Sequence, residues 1–83
     1  MYLHVGQDIM VATDAIVAIV SKELLETSKD VRDLYAKQRS EGRVSGNLKE
    51  AKTLVVTRTG IILSSISANT LVRRVERLED PLL

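Results

Sequence analysis

Residues 52–66, K-T-L-V-V-T-R-T-G-I-I-L-S-S-I, contain the strongest structural signal in the sequence. Two runs rich in β-branched residues, 53–57 and 61–66, flank Arg58-Thr59-Gly60, and this pattern predicts a hairpin whose glycine adopts a positive φ. Within each run three apolar residues follow one another directly instead of alternating with polar ones. We therefore expect both faces of the hairpin to be shielded from water. Since a two-layer domain of this size cannot easily cover both faces, part of this surface is expected to meet another subunit.

The chain has 83 residues, which is the length of one small domain. Such a domain buries only about 60 % of the surface that its unfolded chain exposes, so its margin of stability is narrow. Cysteine is absent and His4 is the only histidine, so neither disulfides nor a Cys/His-bound metal can support the fold. Association with further copies of the chain is the support that remains.

The sequence predicts a soluble, cytoplasmic protein. Its N-terminus, M-Y-L-H-V-G-Q-D, has neither the charged opening nor the apolar core of a signal peptide. The longest nearly apolar run, residues 15–20, is far shorter than the roughly 20 residues that are needed to cross a bilayer. We therefore expect no membrane partner.

The N-terminal part of the chain predicts β-strands. Residues 2–5 alternate like an edge strand, and Gly6-Gln7-Asp8 is typical of a turn. Two further strands are expected over 9–12 and 15–20, with a turn or bulge at Thr13-Asp14 between them. Because residues 15–20 have the sequence A-I-V-A-I-V without a polar side chain, we expect a central strand that is buried on both faces.

A helix is predicted over about 28–41. Residues 21–26 form a connection or a first helical turn before it, and Thr27 or Ser28 is the expected N-cap. Gly42 occupies the position at which a left-handed C-cap is expected. Apolar and neutral residues at helical spacing predict a narrow stripe against the sheet: Val31, Leu34, Tyr35 and Gln38.

A second helix is predicted over about 68–79, after a short strand at 43–45 and the hairpin. Ser67 or Asn69 is its expected N-cap, and Pro81 is expected to stop it. Apolar residues at helical spacing define its core face: Ala68, Leu71, Val75 and Leu78.

These elements predict an α+β fold. We expect a single domain, 1–83, whose β-rich core, 1–66, is a small, curled, mostly antiparallel β-sheet that resembles a barrel. One inserted helix and one C-terminal helix complete the predicted architecture.

The residues needed for catalysis or for cofactor binding are missing. With one histidine and no cysteine, one chain can assemble neither a catalytic triad nor a zinc site. His4 is expected to be a structural strand residue rather than one of a ring of ligands at an oligomer axis. Ser64-Ser65 is expected to form hydrogen bonds at a strand end, and Asp30 and Asp33 to lie on the solvated face of their helix. We expect no enzyme, no cofactor and no metal.

The formal net charge is +1, but the charges are not evenly spread. Residues 1–36 include three basic and six acidic residues, whereas residues 37–58 include six basic and two acidic ones. Two interpretations stay open: a solvated loop region with a chance excess, or a patch that contacts phosphates. The role of the arginines of the last helix also stays open. They can contact phosphates, or they can pair with carboxylates of that helix or of a neighbouring subunit. The arginines are Arg73, Arg74 and Arg77, and the carboxylates are Glu76, Glu79 and Asp80.

The composition also bears on which nucleic acid such a patch would bind. Tyr2 and Tyr35 are the only aromatic residues, and Tyr35 is expected in the core. Stacking of unpaired bases on an aromatic platform is therefore disfavoured, and so is an Sm-like ring for RNA. A weak basic patch that is repeated around an assembly would instead bind duplex DNA through its phosphates.

Three segments of the sequence are distinctive together: Y-L-H-V-G at the start, M-V-A-T-D-A-I-V-A-I-V after it, and V-V-T-R-T-G-I-I-L-S-S-I-S-A-N-T-L. Together they resemble the Rem family of bacterial extracellular matrix (biofilm) regulators, and the opening M-Y-L-H-V-G is most similar to its RemB branch. The resemblance covers nearly the whole chain. It implies a small, nucleoid-associated DNA-binding protein with a β-rich N-terminal core and a helical C-terminus. It also implies assembly into closed rings that present a basic outer surface to DNA.

Two positions depart from what the resemblance implies. The chain has Lys49-Glu50 where a basic pair is expected before the penultimate strand, and Ala15 where an arginine is expected. If those side chains bind DNA in the family, this chain binds more weakly, uses other cations or acts chiefly by co-assembly. The candidate DNA contacts are cations of the basic segment that lie on loops and strand ends: Lys49, Lys52, Arg43 and Arg58.

The resemblance and the local positive charge predict a ring-forming, non-enzymatic transcriptional regulator of matrix genes. Its expected partners are duplex DNA, further copies of the chain and a related Rem protein. The alternative is an oligomeric protein-interaction module that does not bind DNA itself.

Overall fold

The computed structural model describes residues 1–6 and 9–79 of the chain. In this part of the chain there are six strands: β1 (Tyr2–Gly6), β2 (Ile9–Ala12), β3 (Ile16–Ser21), β4 (Val44–Ser45), β5 (Thr53–Thr57) and β6 (Gly60–Ser64). The helices are α1 (Leu24–Thr27), α2 (Lys29–Ser40) and α3 (Ala68–Glu79), together with a short 3₁₀ helix, Thr13–Ala15. The predicted α+β class is confirmed.

The predicted hairpin is present and consists of β5 and β6. The first strand has the predicted bounds, whereas the second includes Gly60 and ends two residues earlier, at Ser64. Thr57 and Gly60 face each other across a two-residue loop, and Gly60 has the predicted positive φ, +156°. The Thr57 hydroxyl accepts the backbone N–H groups of Thr59 at 3.3 Å and Gly60 at 3.2 Å, which holds the loop closed.

The strands form two sheets rather than one curled, barrel-like sheet. Four strands lie in the order β3-β5-β6-β4, and β1 and β2 form a separate antiparallel ribbon. The pairing is antiparallel except between β4 and β6, which are parallel. The four-stranded sheet is therefore open, with β3 at one edge and β4 at the other.

The prediction of a central, doubly buried strand at residues 15–20 is wrong. β3 begins at Ile16 and lies at an edge of the sheet, where it pairs with β5 alone. Val17 occupies a bulge between Ile16 and Ala18 and is 66 % exposed. The apolar sequence indicates that this strand is partly covered, but the order of the strands is set by long-range pairing. Thr13-Asp14 lies in the 3₁₀ helix that connects β2 to β3.

Both faces of the central hairpin are buried, as the sequence predicts. Leu54 and Val55 are adjacent and point to opposite faces, yet each is 0 % exposed. The first face is covered by the β1–β2 ribbon and α3, in a cluster of Leu3, Val5, Val11, Val55 and Leu71. The second face is covered by α1, α2 and the segment before β5, in a cluster of Ala51, Leu54, Ile61 and Leu63 with partners that include Leu25, Val31 and Tyr35. The inference that the hairpin surface needs another subunit is therefore wrong in its premise, because the chain covers both faces itself.

The two longer helices, α2 and α3, begin at capping serines. The Ser28 hydroxyl accepts the backbone N–H of Val31 at 3.3 Å at the start of α2, whereas Thr27 ends the additional short helix α1. The Ser67 hydroxyl accepts the backbone N–H of Thr70 at 3.3 Å at the start of α3, and Asn69 lies inside that helix. The inserted part of the fold thus contains two helices instead of the one predicted.

The remaining predictions for helix ends and turns have mixed outcomes. Gly42 follows α2 with φ +72°, and its N–H donates to the carbonyl of Arg39 at 3.0 Å, so the predicted left-handed cap is confirmed. Gln7, Asp8 and Pro81 lie outside the described residues. Across residues 1–6 and 9–79, no helix has the length and apolar character that are needed to cross a membrane.

Candidate nucleic-acid interface

Arg43 and Arg58 both lie at the end of the four-stranded sheet that contains the β5–β6 loop. We call this the turn end. The backbone N–H of Arg58 donates to the carbonyl of Ala15 at 3.1 Å, which fixes the loop against the start of β3. The carbonyl of Arg43 accepts the backbone N–H of Ile61 at 2.8 Å, which fixes the segment before β4 against β6. Both backbones are held in place while both side chains stay exposed.

Gly60 brings these two segments into contact. A Cβ atom at this position would overlap the carbonyl oxygen and crowd the Cβ of Arg43, so only glycine allows the close approach. The resulting depression at the turn end has a volume of about 270 Å³. Its lining is rich in hydroxyl and backbone groups and consists of Gly42, Arg43, Ser45, Thr57, Thr59, Gly60, Ile61 and Ile62. Such a surface offers an arginine and neutral hydrogen-bonding groups to a phosphate.

Among the described residues, one carboxylate forms an ion pair at the turn end. Arg43 Nη1 lies 3.7 Å from Glu41 Oε2, and both side chains are exposed. Exposed ion pairs of this kind contribute only about 0 to 1 kcal/mol, since water screens the charges. A phosphate can therefore replace Glu41 as the partner of Arg43 at small energetic cost.

A second cationic surface, which we call the lysine end, lies at the opposite end of β5 and includes Lys22 and Lys52. The backbone N–H of Lys22 donates to the carbonyl of Lys52 at 3.0 Å. The ammonium group of Lys22 is partly buried and donates to the carbonyl of Leu48 at 2.7 Å, whereas Lys52 is exposed. A depression of about 470 Å³ lies beside them and is lined by Ser21, Lys22, Glu23, Ala51, Lys52, Ser67, Ala68 and Asn69.

Lys49 follows Leu48, whose carbonyl accepts the Lys22 ammonium, but it lines a different depression from Lys22 and Lys52. It lies in the segment between β4 and β5, where its backbone N–H donates to Asn47 Oδ1 at 2.9 Å. Lys49 lines a third depression, of about 510 Å³, which also contains Arg39 and Tyr35. The adjacent Glu50 is exposed as well, so the local charge at this position is balanced.

The structure thus divides the four predicted contacts among three places. Arg43 and Arg58 share the turn end, Lys52 lies at the lysine end, and Lys49 is separate. Lys52 and Arg58 flank the five-residue strand β5. At the rise of an extended strand their Cα atoms are roughly 20 Å apart. The cations of the basic segment are therefore distributed over both ends of the sheet and a loop in the folded subunit, and they do not form one patch.

Sequence reasoning missed two cations. Lys22 precedes the basic segment by fifteen residues, but antiparallel pairing of β3 and β5 places it opposite Lys52. Arg39 ends up beside Lys49 because α2 packs next to β4. Neither neighbour could be identified from local sequence alone, since each depends on the register of a long-range contact.

The other polar groups have structural roles. Ser64 Oγ donates to the carbonyl of Val5 and accepts the backbone N–H of Ile66 at 3.1 Å, which confirms the predicted hydrogen bonding at the strand end for Ser64. The prediction is wrong for Ser65, which is exposed and whose hydroxyl forms no hydrogen bond with the described residues. His4 is exposed on β1 as part of the ribbon, and Arg74 Nη1 donates to its carbonyl at 3.1 Å. Within residues 1–6 and 9–79, no group of three His, Cys, Asp or Glu side chains is placed to hold a metal ion.

A family model matches most of the chain. No curated protein sequence is significantly similar to the chain. The model of the RemA-like family, described as extracellular matrix regulatory protein A-like, matches residues 2–75. This range includes every strand and most of α3, and therefore the turn end and the lysine end together. The chain belongs to the RemA-like family of extracellular matrix regulatory proteins.

Proposed function

We propose that this chain is a non-enzymatic regulator of extracellular-matrix (biofilm) genes that assembles into a closed ring and binds duplex DNA through phosphates. Membership of a regulatory family supports the regulatory role. The distribution of exposed cations supports phosphate binding. Closer likeness to the RemB branch, a related Rem protein as co-assembly partner and association with the nucleoid belong to the same proposal.

The observation that carries this proposal is the turn end. Two arginines 15 residues apart in the chain lie at the same end of the sheet, on backbones that are fixed by hydrogen bonds. Only one exposed carboxylate, that of Glu41, forms an ion pair with either of them among the described residues. Exposed arginine side chains on fixed backbones are well suited to phosphate oxygens, since each guanidinium can donate two parallel hydrogen bonds.

The turn end also includes the surroundings of Ala15, the position at which the resemblance implies an arginine. Ala15 is partly buried against the core, and its carbonyl accepts the backbone N–H of Arg58. Arg58 therefore brings a cation to the surface next to the position at which the resemblance implies an arginine. We propose that Arg58 supplies the charge that Ala15 lacks.

Binding of a generic duplex, titrated with salt and followed by fluorescence anisotropy, tests the proposal. The double variant Arg43→Gln/Arg58→Gln should bind more weakly than the wild type and with a shallower dependence of log K on log salt. Lys29→Gln/Lys37→Gln removes the same charge from exposed positions of α2 and is the matched control. Equal losses in the two double variants would show that net charge, not the turn end, determines binding.

An oligomeric protein-interaction module is the second candidate. The outer face of the β1–β2 ribbon favours it, because three large apolar residues are exposed in this region: Met1, Tyr2 and Met10. Absence of duplex binding at low salt, together with co-elution with a related Rem protein, would favour this function over DNA binding. Competition between RNA and duplex DNA tests the Sm-like alternative, for which the exposed Tyr2 is a single stacking group.

A further inference from the structure

The outer edge of β3 has backbone groups that no other described strand satisfies. Lys22 donates its backbone N–H to the carbonyl of Lys52, so this opposite pair is hydrogen-bonded. Hydrogen-bonded and non-bonded pairs alternate along an antiparallel ladder. The backbone of Val20 therefore faces β5, whereas the N–H and C=O groups of Ile19 and Ser21 face away from the sheet.

β3 also lacks most of the features that protect an edge strand. Edge strands of monomeric proteins are commonly very short, carry charged side chains, contain proline or are bulged. β3 has six residues, I-V-A-I-V-S, and none of them is charged. The bulge at Val17 disturbs one end of the strand only. Ile19 and Ser21 remain on a regular, open edge.

β2 offers a second open edge. Thr13 donates its backbone N–H to the carbonyl of Met1 at 2.9 Å, and alternation from this pair directs the backbone groups of Met10 and Ala12 away from β1. Among the described strands, β1 alone pairs with β2. Met10 is 60 % exposed, so a strand that approached this edge would also cover apolar surface.

The two other sheet edges are closed or short. The outward-facing carbonyl of His4 on β1 already accepts a hydrogen bond from Arg74 of α3. β4 contains only two residues, Val44 and Ser45. Among the described residues, β2 and β3 are therefore the edges on which an additional strand can form a ladder.

We propose that the outer edge of β3 binds the outer edge of β2 of a second copy, so that backbone hydrogen bonds extend the sheet across the subunit boundary. This inference rests on the self-association in the proposed function and identifies the surfaces that mediate it. Two different edges meet in the contact, so each subunit of a pair keeps its other edge free for the next neighbour. Such a head-to-tail contact repeats and generates a ring when the rotation closes.

The distribution of charge selects β2 as the occupant rather than a second β3. α3 packs on β3 and exposes three arginines, Arg73, Arg74 and Arg77. Antiparallel pairing of two β3 edges in one sheet would place the two α3 helices on the same face, arginine beside arginine. β2 contains no basic residue, so the head-to-tail contact brings no further cation to the arginines of α3. Repulsion thus opposes the symmetric contact and not the head-to-tail one.

Two lysine substitutions test the proposal, because each adds an exposed charge beside one of the two edges. Val17→Lys and Met10→Lys change exposed residues, so each variant should fold and should sediment near the monomer mass of 9.2 kDa. An equimolar mixture should form a 1:1 dimer and nothing larger, since one intact β3 then meets one intact β2. Leu34→Lys is the matched control, because Leu34 is an exposed apolar residue of α2 on the other side of the sheet, and it should keep the wild-type mass.

Hydrogen exchange gives a second readout that does not depend on the lysines alone. The backbone amides of Ile19 and Ser21 should be protected in the wild-type assembly and should exchange rapidly in Met10→Lys, although Met10 lies on a different strand. Circular dichroism melting of all three variants confirms that they are folded.

Three outcomes would overturn the inference. Val17→Lys could keep the wild-type mass, Met10→Lys could keep it, or the mixture could fail to form dimers. Any of them, found with an oligomeric wild type, leaves the proposed ring and its DNA binding standing. A wild type that is monomeric at tens of micromolar would instead remove the ring from the proposed function as well.

Discussion

β3 and β5 are neighbouring apolar strands of one sheet, yet their surroundings are opposite. β5 pairs on both sides, and Leu54 and Val55 are 0 % exposed, whereas β3 pairs on one side and its Val17 is 66 % exposed. Composition does not separate the two strands, since each is built mostly of β-branched and apolar residues. An apolar run therefore indicates that a strand needs cover, but it does not identify the neighbour that provides the cover.

Matched truncations should show the largest difference between the two strands. Val55→Ala should lower the free energy of unfolding by about 1.5 to 3 kcal/mol, because it leaves a cavity in the core. Val17→Ala should change it by less than about 0.5 kcal/mol, as expected for an exposed position. Urea denaturation of dilute protein measures both, and equal losses would show that β3 is not an open edge of the folded monomer.

Substitution of glycines should test how closely the central strands are held to β4. Gly60→Ala combines a positive φ with overlap of the new Cβ and the Arg43 carbonyl, so it should cost more than about 1 kcal/mol. Gly42→Ala also places alanine at positive φ, but it meets open space and should cost about 1 kcal/mol. A smaller loss for Gly60→Ala than for Gly42→Ala, in thermal or chemical denaturation, would contradict the close contact.

Local features of the fold could be predicted from sequence because they depend on neighbouring residues. The β5–β6 loop follows from a glycine between two β-branched runs, and the helix starts follow from Ser28 and Ser67. The edge position of β3 and the parallel pairing of β4 with β6 depend on contacts between distant segments, which a local pattern does not record.

The candidate site shows the same limit. Arg43 and Arg58 could be identified as loop cations, but their position at the same end of the sheet depends on the packing of Gly60 against Arg43. Lys52 and Arg58 are close in sequence, yet an extended strand places them at opposite ends of the sheet. A run of basic residues in a β-rich chain therefore predicts exposed charge without predicting a single patch.

The helix α3 covers one face of β3, and removal of its N-terminal cap should lower the free energy of unfolding by a smaller amount. Ser67→Ala deletes the hydroxyl that accepts the Thr70 N–H and should cost about 1 kcal/mol. The neighbouring Ser65 is exposed and its hydroxyl forms no hydrogen bond with the described residues, so Ser65→Ala should be neutral. Thermal melting distinguishes the two, and equal melting temperatures would contradict the capping role.

Loss of one arginine at the turn end should have the smallest effect on folding and a measurable one on DNA binding. Arg58→Gln should leave the free energy of unfolding within about 0.5 kcal/mol of the wild type. The slope of log K against log salt should become shallower by roughly 0.9 for each phosphate contact that is lost. Lys29→Gln, on the exposed surface of α2, should leave that slope unchanged.

Light scattering of the purified chain with and without a short duplex tests the central claim most directly, because mass and binding are obtained together. The proposed function predicts a particle whose mass is a multiple of 9.2 kDa and which gains the mass of the duplex at low salt and loses it at high salt. A stable 9.2 kDa species that is unchanged by the duplex at low salt would contradict both the ring and its binding to DNA.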